Sequence, residues 1–338
     1  MSARTTRTAD TAQTAPTTHS TRTAPPPADA TPHLDAEAVG RLVPMVAAVD
    51  ALEAVLAAGL DPAAESARAV VDVPGGQLLM MPSATASYTG VKIATVTPGN
   101  ADRGLPRVQG MYLLLDGVTH TPLALLDGIA LTSLRTPALS GVAVRHLAVP
   151  EAGRLVVFGT GPQAWGHVEA VRAVRPALRH VDVVARHPGR VAAFVDRCRA
   201  AGLAAAAATP EAVADADVVC CCTTAREPLF DSALLPDHAT VAAVGSHEPD
   251  AREVDAALVG RATVVAESRE VAARECGDLV LAAAEGAFDP ARLHTLDDLV
   301  RGGVRAAEGR PRLFKSAGMA WEDLAVAAAA YERWTAAG

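Results

Sequence analysis

The run Leu155-Val156-Val157-Phe158-Gly159-Thr160-Gly161-Pro162-Gln163-Ala164 constrains the fold more than any other stretch of this chain. A strictly apolar strand passes straight into Gly-x-Gly-x-x-Ala, and a helical pattern opens behind it. Gly159 permits the tight turn, Gly161 lets the backbone approach a pyrophosphate, and Ala164 keeps the helix close to the strand. The N-terminal helix residues Pro162 and Gln163, beside Thr160, then face the anion. Alone the glycine pattern is weak. Here a second strand, Val181 to Ala185, follows at the right distance, and the pattern predicts a dinucleotide site.

The surrounding block alternates in the same way. Strands are expected at Arg154 to Phe158, Val181 to Ala185, Val218 to Cys222, Thr240 to Val244 and Thr263 to Ala266. Helices are expected at Gln163 to Val174 and Arg190 to Ala201. Strands this uniformly apolar are buried on both faces, as in a doubly wound parallel sheet of the Rossmann type. Ligands of such sheets sit at the carboxyl ends of the strands, which makes Thr223 and Thr224 candidate cofactor contacts. The second strand ends in Val184-Ala185-Arg186-His187-Pro188-Gly189-Arg190, without the carboxylate that would accept hydrogen bonds from a ribose 2′-hydroxyl. Arg186 and Arg190 suit a 2′-phosphate instead, so NADP(H) is favoured over NAD(H).

Composition narrows the function classes. The 338 residues carry 30 Lys plus Arg against 38 Asp plus Glu, a formal charge of −8, which excludes a basic nucleic-acid or membrane-surface face. Aromatic residues make up 3%, too few for base-stacking platforms. No apolar run approaches the roughly 18–20 residues of a membrane span. Five cysteines, three of them adjacent (Cys220, Cys221, Cys222), form neither a disulfide framework nor a metal site, and a reducing, cytoplasmic compartment is expected.

Residues 1–33 are rich in Thr, Ala and Pro without apolar periodicity, and are expected to be a disordered tail. From Leu34 to about Leu60 the spacing of Leu42, Val46, Val49, Leu52, Val55 and Leu56 predicts a helix. Strands are expected at Ala69 to Val73, Gln77 to Met81, Val91 to Val96, Met111 to Leu115 and Pro122 to Leu126, forming a largely antiparallel sheet, with a helix from about Ile129 to Leu147. After about Asp298 the pattern returns to helix and turn, with a last Ala-rich helix from about Ala320 to Ala336. The fold class is therefore α/β, a Rossmann-type doubly wound parallel sheet plus a mixed α+β domain.

Several strings resemble the ornithine cyclodeaminase/mu-crystallin family. They are Gly90-Val91-Lys92-Ile93, Pro98-Gly99-Asn100, Pro122 to Gly128, Leu131 to Thr136, Ala243 to Glu253 and Phe314 to Gly318. The resemblance runs from about residue 40 onward and implies a homodimer. It also implies a substrate-binding and dimerisation domain over 34–150, completed by about 312–338, and an NAD(P)-binding domain over 151–311. An amino or imino acid carboxylate would be held by cations matching Arg68, Lys92 and Arg135. Physics agrees with that set, because guanidinium groups grip carboxylates with parallel donors and a lysine in an apolar strand is costly without a task. Family analogy adds Gly245, Ser246 and Gly318 to the cofactor contacts.

The departures matter as much. Cyclodeaminases of the family carry an Asp where this chain has His247, and a Glu where it has Leu79. Losing both removes groups that would recognise a diamine and manage its protons, which weighs against ornithine or lysine cyclisation. Hydride transfer between a nicotinamide and C2 of a bound imino acid survives. Lys92, crowded by two guanidinium groups, is expected to have a lowered pKa and to serve the imine nitrogen, with His247 a second candidate acid or base. The leading expectation is an NAD(P)H-dependent reductase of a small cyclic imino acid, such as 1-pyrroline-2-carboxylate or its six-membered homologue. The rivals are an alanine-type dehydrogenase, a cyclodeaminase and a non-catalytic NADPH-dependent binding protein.

Overall fold

Two sheets organise residues 31–337, which are those described by the computed structural model. The chain opens with β1 (His33–Leu34), α1 (Ala36–Leu42) and α2 (Met45–Ala57). There follow β2 (Ala69–Val73), β3 (Gly76–Ala84), β4 (Tyr88–Val96), β5 (Val108–Asp116) and β6 (Pro122–Asp127). Then α3 (Gly128–Leu147) leads to β7 (Arg154–Phe158), α4 (Pro162–Val174), β8 (His180–Val184), α5 (Pro188–Ala200) and β9 (Ala204–Ala207). The remaining elements are β10 (Val218–Cys221), β11 (Thr240–Ala243), α6 (Ala256–Arg261), β12 (Thr263–Ala266), α7 (Arg269–Glu275) and α8 (Gly277–Ala284), then β13 (His294–Thr295), α9 (Leu296–Val300), β14 (Arg312–Lys315) and α10 (Ala320–Ala337).

The first sheet has the order β1-β6-β5-β4-β3-β2 and is antiparallel apart from the β1–β6 pair. Its period-2 alternation is plain in β4, where Gly90, Lys92 and Ala94 are buried beneath the helical layer while Ile93 points away and is 42% exposed. α10 packs on β3, β4 and α3, so the far end of the chain roofs the face that carries Lys92. The expected single helix of 34–60 is two helices. Pro44 lacks the N–H that would continue α1 and instead starts α2. His33, expected in the tail, lies in β1 and pairs with Leu125 of β6; residues 1–30 of that tail lie outside the described residues.

The second sheet is parallel throughout, with the order β13-β12-β14-β11-β10-β7-β8-β9. From β7 the chain winds outward through β8 and β9, then returns to the other side of β7 with β10. That reversal opens a crevice at the carboxyl ends of β7 and β10. One boundary needs correction. Residues 312–315, expected to complete the first domain, form β14 between β11 and β12 in the parallel sheet. Leu313 and Phe314 are fully buried there, and the flanking Arg312 and Lys315 break the apolar signature that marks the other strands.

Candidate active site

The crevice is a cleft of about 1100 Å³. Gly159, Thr160, Gly161 and Gln163 line it from the β7–α4 turn, Arg186 and Arg190 from the end of β8, and Thr223, Thr224 and Gly245 from the ends of β10 and β11. Gly159 has φ +109°, which only glycine adopts without strain, and the space beyond the Cα of Gly161 is open at the head of α4. A bare helix N-terminus facing an open glycine suits a pyrophosphate, so the residues present fit a dinucleotide. Ala164 is buried behind the turn and Pro162 forms the exposed first helical position. Arg186 and Arg190 are exposed on the wall and make no ion pair among the described residues.

Glu253 holds the two strand-end loops together. Its Oε1 accepts from the Thr223 backbone N–H at 2.8 Å and the Thr223 hydroxyl at 2.7 Å, and its Oε2 from Gly245 N–H at 2.7 Å. A Cβ on Gly245 would stand 2.0 Å from the Thr223 carbonyl oxygen. The sequence suggests a solvated helix start at Glu253, but the side chain is fully buried. Beneath it lies a second buried pair. Lys315 Nζ reaches Asp278 at 2.8 Å and donates to the Ser246 carbonyl at 2.7 Å, so Ser246 is held behind the cleft wall, its hydroxyl donating to Ala251 O. His247, next along, is exposed. Partial desolvation and the charges of Arg68 and Lys315 hold its imidazole below the usual value, hence neutral at pH 7.

The three expected carboxylate grips are not equivalent. Lys92 and Arg135 are buried side by side, Lys92 on β4 and Arg135 on α3. Lys92 Nζ lies 2.7 Å from Asp323 Oδ2 and donates to Thr132 Oγ1 at 3.2 Å. Arg135 Nη1 donates to Glu322 Oε2 at 2.5 Å, while its Nε stands 3.6 Å from Asp323. Burial lowers the Lys92 pKa, with Arg135 adding to the shift and Asp323 opposing it. The direction is as expected, and of the two expected guanidinium groups Arg135 contributes, but burial is the larger cause. Arg68 instead pairs with Glu275 at the end of α7, 2.8 Å away, and donates to the Gly318 carbonyl at 2.9 Å.

Gly318 also departs from expectation. It does not line the dinucleotide cleft; it faces a smaller cavity of about 70 Å³ beside Arg68, Glu65 and Met81. Its φ is +83°, and a Cβ there would meet Arg135 Nη1 at 2.5 Å, so the missing side chain makes room for the guanidinium. Gln163 joins the two regions, lining the large cleft while donating to the Thr132 carbonyl at 3.4 Å. Asp323, Glu322 and Glu267, all buried beneath the cations, have no counterpart among the residues expected from the sequence. The only signal for Glu322 and Asp323 is their place as a Glu-Asp pair in the first turn of an apolar helix, which also reads as ordinary dipole complementarity.

This arrangement, a nucleotide cleft joined to a buried Lys–Arg pair, coincides with a match over residues 31–338 to the ornithine cyclodeaminase/mu-crystallin family. The chain belongs to that family. A Delta(1)-pyrroline-2-carboxylate reductase of Bacillus cereus is 38% identical over 264 residues, 75% of this chain and 81% of the relative. The Thermococcus litoralis Delta(1)-pyrroline-2-carboxylate reductase, solved with NADH and L-proline, superposes with a TM-score of 0.84 at 30% identity, covering 91% of this chain and 98% of the other. An archaeal alanine dehydrogenase dimer with bound NAD superposes equally well, with a TM-score of 0.84 at 27% identity, covering 91% and 97%. The fold of this family member is thus an α/β Rossmann-type sheet joined to a mixed domain.

Proposed function

We propose that the chain is an NADPH-dependent reductase of a small cyclic imino acid, 1-pyrroline-2-carboxylate or its six-membered homologue. The observation that carries the reading is Lys92: a buried amine of lowered pKa, joined through Thr132 to Gln163 at the lip of the nucleotide cleft. The reductases of Bacillus cereus and Thermococcus litoralis support the same chemistry. The nicotinamide supplies a hydride to C2 of the substrate when bound. Arg135 binds the substrate carboxylate and so fixes the face that C2 presents. Lys92 delivers a proton to the ring nitrogen, and Asp323 holds the ammonium in place for it. C2 thereby gains the hydride and the ring nitrogen the proton, and the C=N bond becomes CH–NH. His247, neutral at pH 7, borders the site without supplying that proton.

Arg68 joins Arg135 on the carboxylate by exchanging its Glu275 partner for the substrate. Arg186 and Arg190 take the 2′-phosphate of NADPH, consistent with the missing acidic residue after β8. The chain acts as a homodimer through the outer face of the first sheet, where Val71, Ile93 and Met111 are each more than 40% exposed. The likeness to an alanine dehydrogenase favours one second reading, oxidation and reductive amination of alanine-type substrates. NADPH oxidation with 1-pyrroline-2-carboxylate, with and without ammonia, separates the two. Turnover that needs no ammonia supports the imine reductase; turnover only with a keto acid plus ammonia replaces it with the dehydrogenase. Failure with both substrates removes both readings.

A further inference from the structure

Arg68 is engaged by a carboxylate of the chain itself. The small cavity of about 70 Å³ lies between the first domain and α7, with Arg68 and Met81 on one side and Arg274 and Glu275 on the other. There Arg68 Nη2 meets Glu275 Oε2 at 2.8 Å, and the same nitrogen donates to the Gly318 carbonyl at 2.9 Å. Both side chains of the bridge are largely buried, 22% and 14% exposed, so solvent screens it little.

The fork geometry of the guanidinium makes this contact exclusive. A guanidinium offers parallel donors along two edges, Nε–Nη2 and Nη1–Nη2, because Cδ blocks the third. Both edges use Nη2, and that nitrogen has only two N–H groups. The Gly318 carbonyl takes one and Glu275 the other. Gly318 belongs to a turn fixed by Glu267, which accepts from the Ala317 and Gly318 N–H groups at 3.0 and 3.1 Å, so Glu275 is the partner able to leave. A second carboxylate therefore gains a bidentate hold on Arg68 only by displacing Glu275.

Glu275 already has a second cation. Its Oε1 accepts from Arg274 Nε at 3.0 Å and from Arg274 Nη2 at 2.6 Å. We propose that Glu275 is a built-in stand-in for the substrate carboxylate: it occupies Arg68 in the empty site, passes wholly to Arg274 when substrate binds, and so sets the affinity for the imino acid. Glu275 and Arg274 are positioning residues. The proposal deepens the reading of Arg68 as a carboxylate grip and rests on it.

The test measures Kd for L-proline, the product expected of the reductase, and KM for 1-pyrroline-2-carboxylate. Wild type is compared with Glu275→Gln, Arg274→Gln, their double variant and Arg68→Gln. E275Q removes the competing charge, and both constants should fall about threefold to tenfold. R274Q removes the alternative partner and leaves Glu275 on Arg68, so both should rise by a similar factor. The double variant should match E275Q, because Arg274 acts only through Glu275. KM should move more than kcat throughout. A packing role alone would weaken binding in both single variants, so changes of equal sign, or no change, overturn the proposal while the grip stands. R68Q should weaken L-proline binding; an R68Q of wild-type affinity overturns the grip itself. If no imino acid is turned over the reductase reading fails separately, because L-proline binding needs no turnover and still decides the exchange. L-proline bound by neither wild type nor E275Q overturns the exchange as well.

Discussion

Lys92 concentrates the chemistry at the smallest scale. The residue is 5% exposed, and its pKa is depressed chiefly because burial disfavours the charged form. The proton it delivers is present below that lowered pKa and absent above it. The expected kcat/KM profile therefore falls as pH rises, with its alkaline limb below the ordinary lysine value of 10.5. Lys92→Ala should lower kcat by about 100-fold or more, the usual contribution of a positioned acid. It also leaves Asp323 buried with only a distant Arg135 contact, so a loss of about 3–5 kcal/mol in stability is expected on chemical denaturation. His247→Asn should keep the alkaline limb of the same profile, because its imidazole is already neutral there. A limb that disappears in H247N would transfer the acid role from Lys92 to His247.

At the scale of elements, the site depends on loops at the ends of β7, β10 and β11. Gly245→Ala would force its Cβ to 2.0 Å from the Thr223 carbonyl, and backbone cannot yield cheaply. The loop must shift away from Glu253, and NADPH affinity measured by fluorescence titration should fall by about tenfold or more. Arg186→Glu should reverse cofactor preference, lowering the NADPH-to-NADH ratio of kcat/KM by at least roughly tenfold through loss of a charged hydrogen bond. An unchanged ratio would remove Arg186 from cofactor selection. The β7 turn was legible from the sequence because glycine geometry and buried apolar strands leave local signatures. The same holds for Lys92, a lone charge in an apolar strand. β14 was not legible, since its four residues are half charged and their burial comes from neighbours far along the chain. Nor were Glu322 and Asp323, whose significance arises when α10 closes over β4 and brings them to cations 187 and 231 residues away. The all-alanine β9 and the short helices α6 to α8 likewise carry too little pattern of their own.

For the whole molecule, the two faces of β4 connect assembly to chemistry. Lys92 points to the roof of α3 and α10, while the next residue, Ile93, points outward between Met80 and Met111 on the neighbouring strands. Ile93, Met111 and Val71 form an exposed apolar surface on a sheet face, the kind of surface that a monomer in water rarely leaves uncovered. The alanine dehydrogenase of matching fold was solved as a dimer, and the homodimer proposed for this chain would cover that surface. Pairing there would press on the back of the strand that carries Lys92 and stiffen it against the roof. Ile93→Glu places a charge in the middle of that surface without touching the buried side. Sedimentation velocity should show a dimer for the wild type and a monomer for I93E. Because the strand loses its backing, kcat should drop in the monomer, while the NADPH affinity of the distant cleft stays near wild type. A dimeric I93E would place the dimer interface elsewhere, and a monomeric wild type would remove the dimer altogether. A monomeric I93E of full activity would show that β4 holds Lys92 in register by the antiparallel ladder to β3 and β5 alone.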